Sequence, residues 1–118
     1  SNEAFPAHGF ARTTLWQVLS TEALIDGGTC ICFSMMPEGD NADMWPADTT
    51  VQFQLTIGKK LQLELLTHNN GSQAITISQA LHTYFNVADV SNLLLHGLDD
   101  TDYLDKPDSF KRKHQKGA

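Results

Sequence analysis

Val51-Gln52-Phe53-Gln54-Leu55-Thr56-Ile57-Gly58-Lys59-Lys60-Leu61-Gln62-Leu63-Glu64-Leu65 alternates apolar and polar side chains on both sides of a short Gly-Lys-Lys break. Successive side chains of a β-strand point to opposite faces, so a period of two puts every apolar residue of each half on one side. The stretch therefore predicts two half-buried antiparallel strands joined by a turn at Gly58–Lys60. Downstream, Asn69-Asn70-Gly71-Ser72 carries the Asn-Gly pair of a tight hairpin, and a third strand is expected over Ile75–Phe85. Upstream, Thr14–Leu19 and Thr29–Met35 are rich in β-branched, aromatic and sulfur residues and are parted by Asp26-Gly27-Gly28, which predicts another hairpin. Pro37–Asp48, with two prolines, a glycine and four acids, is expected to be a loop, and Val90–His96 a further strand. No helical period persists, so the fold class is all-β and antiparallel.

A chain of 118 residues with 41% apolar and 19% charged side chains suits one domain. Its net charge of −6 is unevenly placed: Lys106, Lys111, Arg112, Lys113 and Lys116 crowd the end, whereas thirteen acids face only Arg12, Lys59 and Lys60 up to Asp105. Such a body repels polyanions, so no nucleic-acid partner is expected. No apolar run approaches the ~20 residues of a membrane span, so no membrane partner is expected either. Residues 1–106 are expected to form the domain and residues 107–118 a basic, polar, structureless tail. Cys30 and Cys32 are too close on a strand to pair with one another and make no complete zinc set. They are expected to be small buried hydrophobes in a reducing, cytoplasmic compartment.

If Ile75–Phe85 is a strand, its even face carries Thr76, Ser78, Ala80, His82 and Tyr84, a row of hydroxyls with an imidazole and a phenol. That surface suits a polar ligand, and His82 is the leading candidate for acid–base work because imidazole titrates near neutrality. The alternative is a histidine satisfied by a hydrogen bond on a wetted sheet. In His8-Gly9-Phe10-Ala11-Arg12 an imidazole and a guanidinium flank a short apolar centre; the arginine could bind a phosphate or carboxylate through two parallel hydrogen bonds, or be an ordinary surface residue. His8, His68, His82, His96 and His114 have no metal-ligand spacing, and no phosphate loop or dinucleotide fingerprint occurs, so neither metal nor cofactor is expected.

Taken together, His8-Gly9-Phe10-Ala11-Arg12 with Trp16, then Ala80-Leu81-His82-Thr83-Tyr84-Phe85, then Gly97-Leu98 leading to Tyr103-Leu104-Asp105-Lys106, resemble the aldose 1-epimerase superfamily, and within it the hexose-6-phosphate mutarotases. The resemblance implies a galactose-mutarotase-like β-sandwich, here incomplete, and interconversion of the α and β anomers of a hexose or hexose 6-phosphate. By that likeness His82 is the catalytic general acid, His8 bonds the sugar near the reacting centre and Arg12 meets the 6-phosphate; Tyr84, on the polar face expected to carry His82, is expected to bind substrate as well. It also implies that the general-base glutamate lies in a C-terminal half this chain lacks, so that the chain is a central slice. A slice leaves strand edges uncovered, so a homodimer is expected. Two other readings remain open: a sugar or sugar-phosphate binding domain without catalysis, and a relic fragment held folded by dimerisation.

Overall fold

The computed structural model describes residues 6–117. The chain divides into two compact units, one running to Ser78 and one from Gln79 onward. The first unit is a four-stranded antiparallel meander, β1 (Leu15–Ala23), β2 (Thr29–Met36), β3 (Thr49–Ile57) and β4 (Leu61–Asn69), with each strand bonded to the next. It follows the alternation closely. Phe33 pairs with Phe53, Phe53 with Leu65, Leu55 with Leu63 and Trp16 with Met35. Residues directly opposite share a face, so these apolar side chains line one side of the sheet, while Gln54, Glu64, Cys32 and Ser34 line the other. Nearly all-β and antiparallel, this architecture is consistent with the expected piece of a galactose-mutarotase-like β-sandwich.

The apolar face is covered at one end. Phe10, Met35 and Val51 form the buried cluster, with Trp16, Met44, Trp45 and Leu65 packed against it. Trp45 and Met44 come from the β2–β3 connection, which is a loop as expected except for one helical turn, α1 (Asp40–Asp43). Toward the opposite end of the same face Ile57, Leu61 and Leu63 are exposed. At that end Gly28, in the β1–β2 turn, lies so close to β3 that a Cβ there would sit 3.0 Å from the carbonyl oxygen of Ile57. Gly58 closes the β3–β4 turn as its N–H donates to the Lys60 carbonyl.

The expected third strand does not form: residues 74–88 carry no regular secondary structure. Alternation gives a segment a preferred face, but a strand exists only through a ladder of hydrogen bonds to a neighbour, and none is made here. The turn before it also differs from the tight hairpin expected. The Asn69 side chain accepts from the Gly71 N–H and donates to the Gln73 carbonyl, an Asx turn in which neither Asn70 nor Gly71 takes a positive φ.

In the second unit the expected strand at Val90–His96 is instead a single 3₁₀ turn, Val90–Asn92, capped by Asp89, whose carboxylate accepts from the Ser91 N–H, the Ser91 hydroxyl and the Asn92 amide. The capping bonds satisfy Ser91 and Asn92 locally and compete with an extended ladder. Nor are residues 109–117 structureless, as expected from their polarity. Strands β5 (Asp102–Asp105) and β6 (Lys111–His114) form an antiparallel hairpin, which spans the boundary expected at 106/107. Charge complementarity supplies what apolar periodicity lacks. Arg112 and His114 meet Asp102, Lys113 meets Asp105 and Asp108, Lys111 meets Asp108, and His114 also meets Asp100. Hydrogen bonds from Lys113 hold the Asp105 carboxyl below its ordinary value; Lys111 first and Lys113 second do the same for Asp108, and Lys113 is itself raised.

Candidate functional site

The His8–Arg12 segment is a built loop. The Gly9 N–H donates to the Pro6 carbonyl at 2.9 Å, and His8, at φ 67°, occupies the third position of that turn. Left-handed backbone is uncommon outside glycine but several-fold more frequent for histidine than for most residues, so the turn can place an imidazole at its corner. Gly9 follows at φ 66°, where a side chain would be strained.

Next comes the anchor. Phe10 is 9% exposed and meets Trp45 edge to face, ring centroids 5.9 Å apart. Its carbonyl accepts from the Thr13 N–H and from the hydroxyls of Thr13 and Thr14. One residue on, the Trp16 indole N–H donates to the Ala11 carbonyl at 2.9 Å, and the Asn41 amide reaches the Thr14 hydroxyl from the β2–β3 connection. The loop is thus tied to β1 and to the opposite connection. His8 and Arg12, two residues to either side of the anchor, both stay exposed. A carbonyl-lined turn with an imidazole and a guanidinium held at the surface can donate hydrogen bonds to a sugar hydroxyl or an anionic oxygen.

His82 and Tyr84 belong to the second unit, in the irregular segment, and both are exposed, Tyr84 at 91%. The shared strand face proposed for Thr76, Ser78, Ala80, His82 and Tyr84 therefore has no basis in the fold, because without a pleat a spacing of two assigns no side. His8 and Arg12 come together on one loop; His82 and Tyr84 lie two apart on another segment.

Three residues that position the loop were not singled out from sequence: Phe10 as its anchor, and Trp45 and Asn41 as its distant partners. The signal for Phe10 was present, since a large aromatic residue amid Gly9 and Ala11 in a turn is a natural plug. Trp45 and Asn41 gave none, because their contacts bridge 35 and 27 residues. Among the described residues no group of three His, Cys, Asp or Glu side chains is arranged to hold a metal ion. Cys30 and Cys32, expected to be buried, are free thiols of intermediate exposure on the polar face of β2. Among the described residues no helix is long and apolar enough to cross a membrane.

No solved structure matches the chain. Among curated proteins it is 32% identical over 111 residues to "Putative glucose-6-phosphate 1-epimerase" of Escherichia coli K12 and 34% identical over 111 residues to the protein of the same name in Salmonella typhimurium. Each alignment covers 94% of this chain and 36% of the relative. A third protein of that name, from Cenchrus ciliaris, is 25% identical over 118 residues. The chain thus spans about a third of the length of the curated relatives it matches. The family described as aldose 1-epimerase matches residues 1–116, and the chain belongs to it.

Proposed function

We propose that the chain carries part of a hexose-6-phosphate 1-epimerase site and binds a hexose or hexose 6-phosphate. The observation that carries this reading is the His8–Arg12 loop, where Phe10 is buried and the two polar residues flanking it are exposed. A planar guanidinium suits the 6-phosphate, which it can meet through two parallel bonds, and His8 can bond a ring hydroxyl. Tyr84 offers a phenol to a sugar hydroxyl. His82 serves as general acid. As a base removes the proton of the anomeric hydroxyl, the bond from the anomeric carbon to the ring oxygen breaks and His82 protonates that oxygen. Rotation and reclosure with the protons returned yield the other anomer.

Only the acid is assigned among these residues. General acid or base help is worth about 10²- to 10⁴-fold each, so turnover by this chain alone is expected to be weak. No cofactor or metal enters the reaction. The net charge of −6 argues against nucleic-acid and anionic-membrane partners. Free thiols and a phosphorylated sugar suit the cytoplasm. The exposed apolar end of the sheet favours a homodimer.

Exchange NMR on α-glucose 6-phosphate tests catalysis: acceleration that disappears in His82→Ala supports it, whereas a rate equal to buffer rules it out for these 118 residues. Calorimetric titration tests the site itself. Binding in which Arg12→Ala abolishes the preference for glucose 6-phosphate over glucose is expected, and absence of binding to either sugar overturns the assignment.

A further inference from the structure

The four-stranded sheet ends in two edge strands that differ in kind. β1 is broken by a bulge, its register with β2 shifting between Val18 and Ser20 so that Leu19 has no partner. Bulges twist an edge away from further pairing and are a common protection. β4 has none. It pairs with β3 residue for residue from Ile57–Leu61 to Thr49–Asn69, and among the described residues it is bonded to no other strand. Nine residues of unbroken strand therefore offer an outer row of backbone donors and acceptors.

The side chains on that edge indicate its partner. Suppose β4 pairs antiparallel with a second β4 through a two-fold axis. Apolar faces stay on one side only if the axis passes through a residue, because a half-step puts each apolar side chain opposite a polar one. Centred on Glu64, the pairing sets two carboxylates opposite each other. Centred on Leu65, it sets Glu64 opposite Leu66. Centred on Leu66, it sets Glu64 of each copy opposite His68 of the other, Leu65 opposite Thr67, and the two Leu66 side chains together. Glu64, Leu66 and His68 are all exposed and, being two apart on one strand, share the polar face. This register is self-complementary in charge and shape, and it repeats each favourable pair by symmetry.

We infer that β4 is the self-association edge, two copies of this chain pairing antiparallel about Leu66 into a continuous eight-stranded sheet. The inference deepens the homodimer proposed above and rests on it; the sugar assignment is independent of both.

Sedimentation equilibrium on the full chain, with Glu64→Lys, His68→Glu and the double variant, separates these claims. The unchanged chain is expected to dimerise. Each single substitution should weaken the dimer about tenfold, by loss of attraction or by like-charge juxtaposition, and the double variant should recover it because the reversed pair is restored. A monomeric unchanged chain overturns both the dimer and the edge assignment. A dimer indifferent to the single substitutions overturns the edge but leaves the dimer, and singles that the double variant fails to rescue overturn the register. Hydrogen exchange on the unchanged chain gives a readout free of folding defects: protection of β4 amides should rise with protein concentration, and protection that does not overturns the inference.

Discussion

Replacing Phe10 with alanine tests whether one buried ring holds the His8–Arg12 loop. Large-to-small aromatic changes in a core cost about 3 to 5 kcal/mol, the transfer of the ring plus the cavity it leaves. The low end applies, since Phe10 shares its cluster with only Met35 and Val51 and the surrounding Trp16, Met44, Trp45 and Leu65 are half-exposed and can close over part of the gap. About 3 kcal/mol corresponds to roughly a hundredfold loss in the folding equilibrium. With a urea slope of ~1.5 kcal/mol/M, the midpoint falls by ~2 M. The assay is intrinsic fluorescence, because the chain has 2 tryptophans and both report on this loop: Trp45 packs on the ring and Trp16 bonds the Ala11 carbonyl. Emission of the folded state should shift to the red as both indoles gain water. Should Phe10→Ala not fold, Phe10→Leu keeps most of the volume while losing the edge contact, and should cost ~1 kcal/mol. A midpoint moved by less than ~0.5 M in Phe10→Ala, with unchanged emission, would refute the anchoring of the loop by this residue.

Thr49 is 5% exposed and its hydroxyl has no hydrogen-bond partner among the described residues, so Thr49→Val, similar in shape, should raise stability by ~1 kcal/mol in the same titration; a loss would show that the hydroxyl is satisfied. Gly28→Ala brings a Cβ to 3.0 Å from the backbone oxygen of Ile57, which cannot swing aside, and should cost ~1 to 2 kcal/mol, whereas Gly58→Ala meets only ordinary contact at 3.5 Å and should be tolerated; equal thermal midpoints for the two would contradict the close approach of the turns. The β5–β6 hairpin should depend on pH at both extremes. Asp105 and Asp108 titrate below the ordinary 3.8, so their contribution is present above that pH and lost as acid carries the solution through the lowered values. Lys113 titrates above the ordinary 10.5, so its share is present below that pH and lost as base carries the solution through the raised one. Hairpin NMR shifts that stay constant down to pH 2, or that ignore 1 M salt, would deny the ion pairs their role.

How much of this could be read from the residues depends on the range of the force involved. Alternation in Val51–Leu65 determines two strands, and because the Gly58–Lys60 turn is local, it determines their register as well. The first hairpin was equally legible, except that its bulge at Leu19 has no local marker. Ile75–Phe85 also alternates, with Gln79 and Thr83 interrupting its apolar face, yet a ladder is a property of two segments and is not written in either alone. Residues 99–114 mislead for the opposite reason. They lack apolar period, but their signs reverse about Pro107–Phe110, Asp100, Asp102 and Asp105 before it and Lys111, Arg112 and Lys113 after it, which is the pattern of a charged hairpin. Hydropathy does not register that symmetry; counting charge along the chain does.

The same distinction separates the residues proposed to act on the sugar. The geometry around His8 and Arg12 follows from local causes, a turn that accepts histidine at positive φ, a buried ring two residues on, and an indole bond to the carbonyl between. It can be dissected by substitutions within one sheet. For His82 the sequence gives fewer reasons. Strand alternation and the epimerase-like hexapeptide Ala80–Phe85 would have been two separate reasons for placing it in a site, but in the absence of a strand only the hexapeptide remains. Loss of turnover in His82→Ala alongside unchanged sugar binding is therefore the measurement that bears most directly on its role, since a residue needed only to hold the segment would impair both.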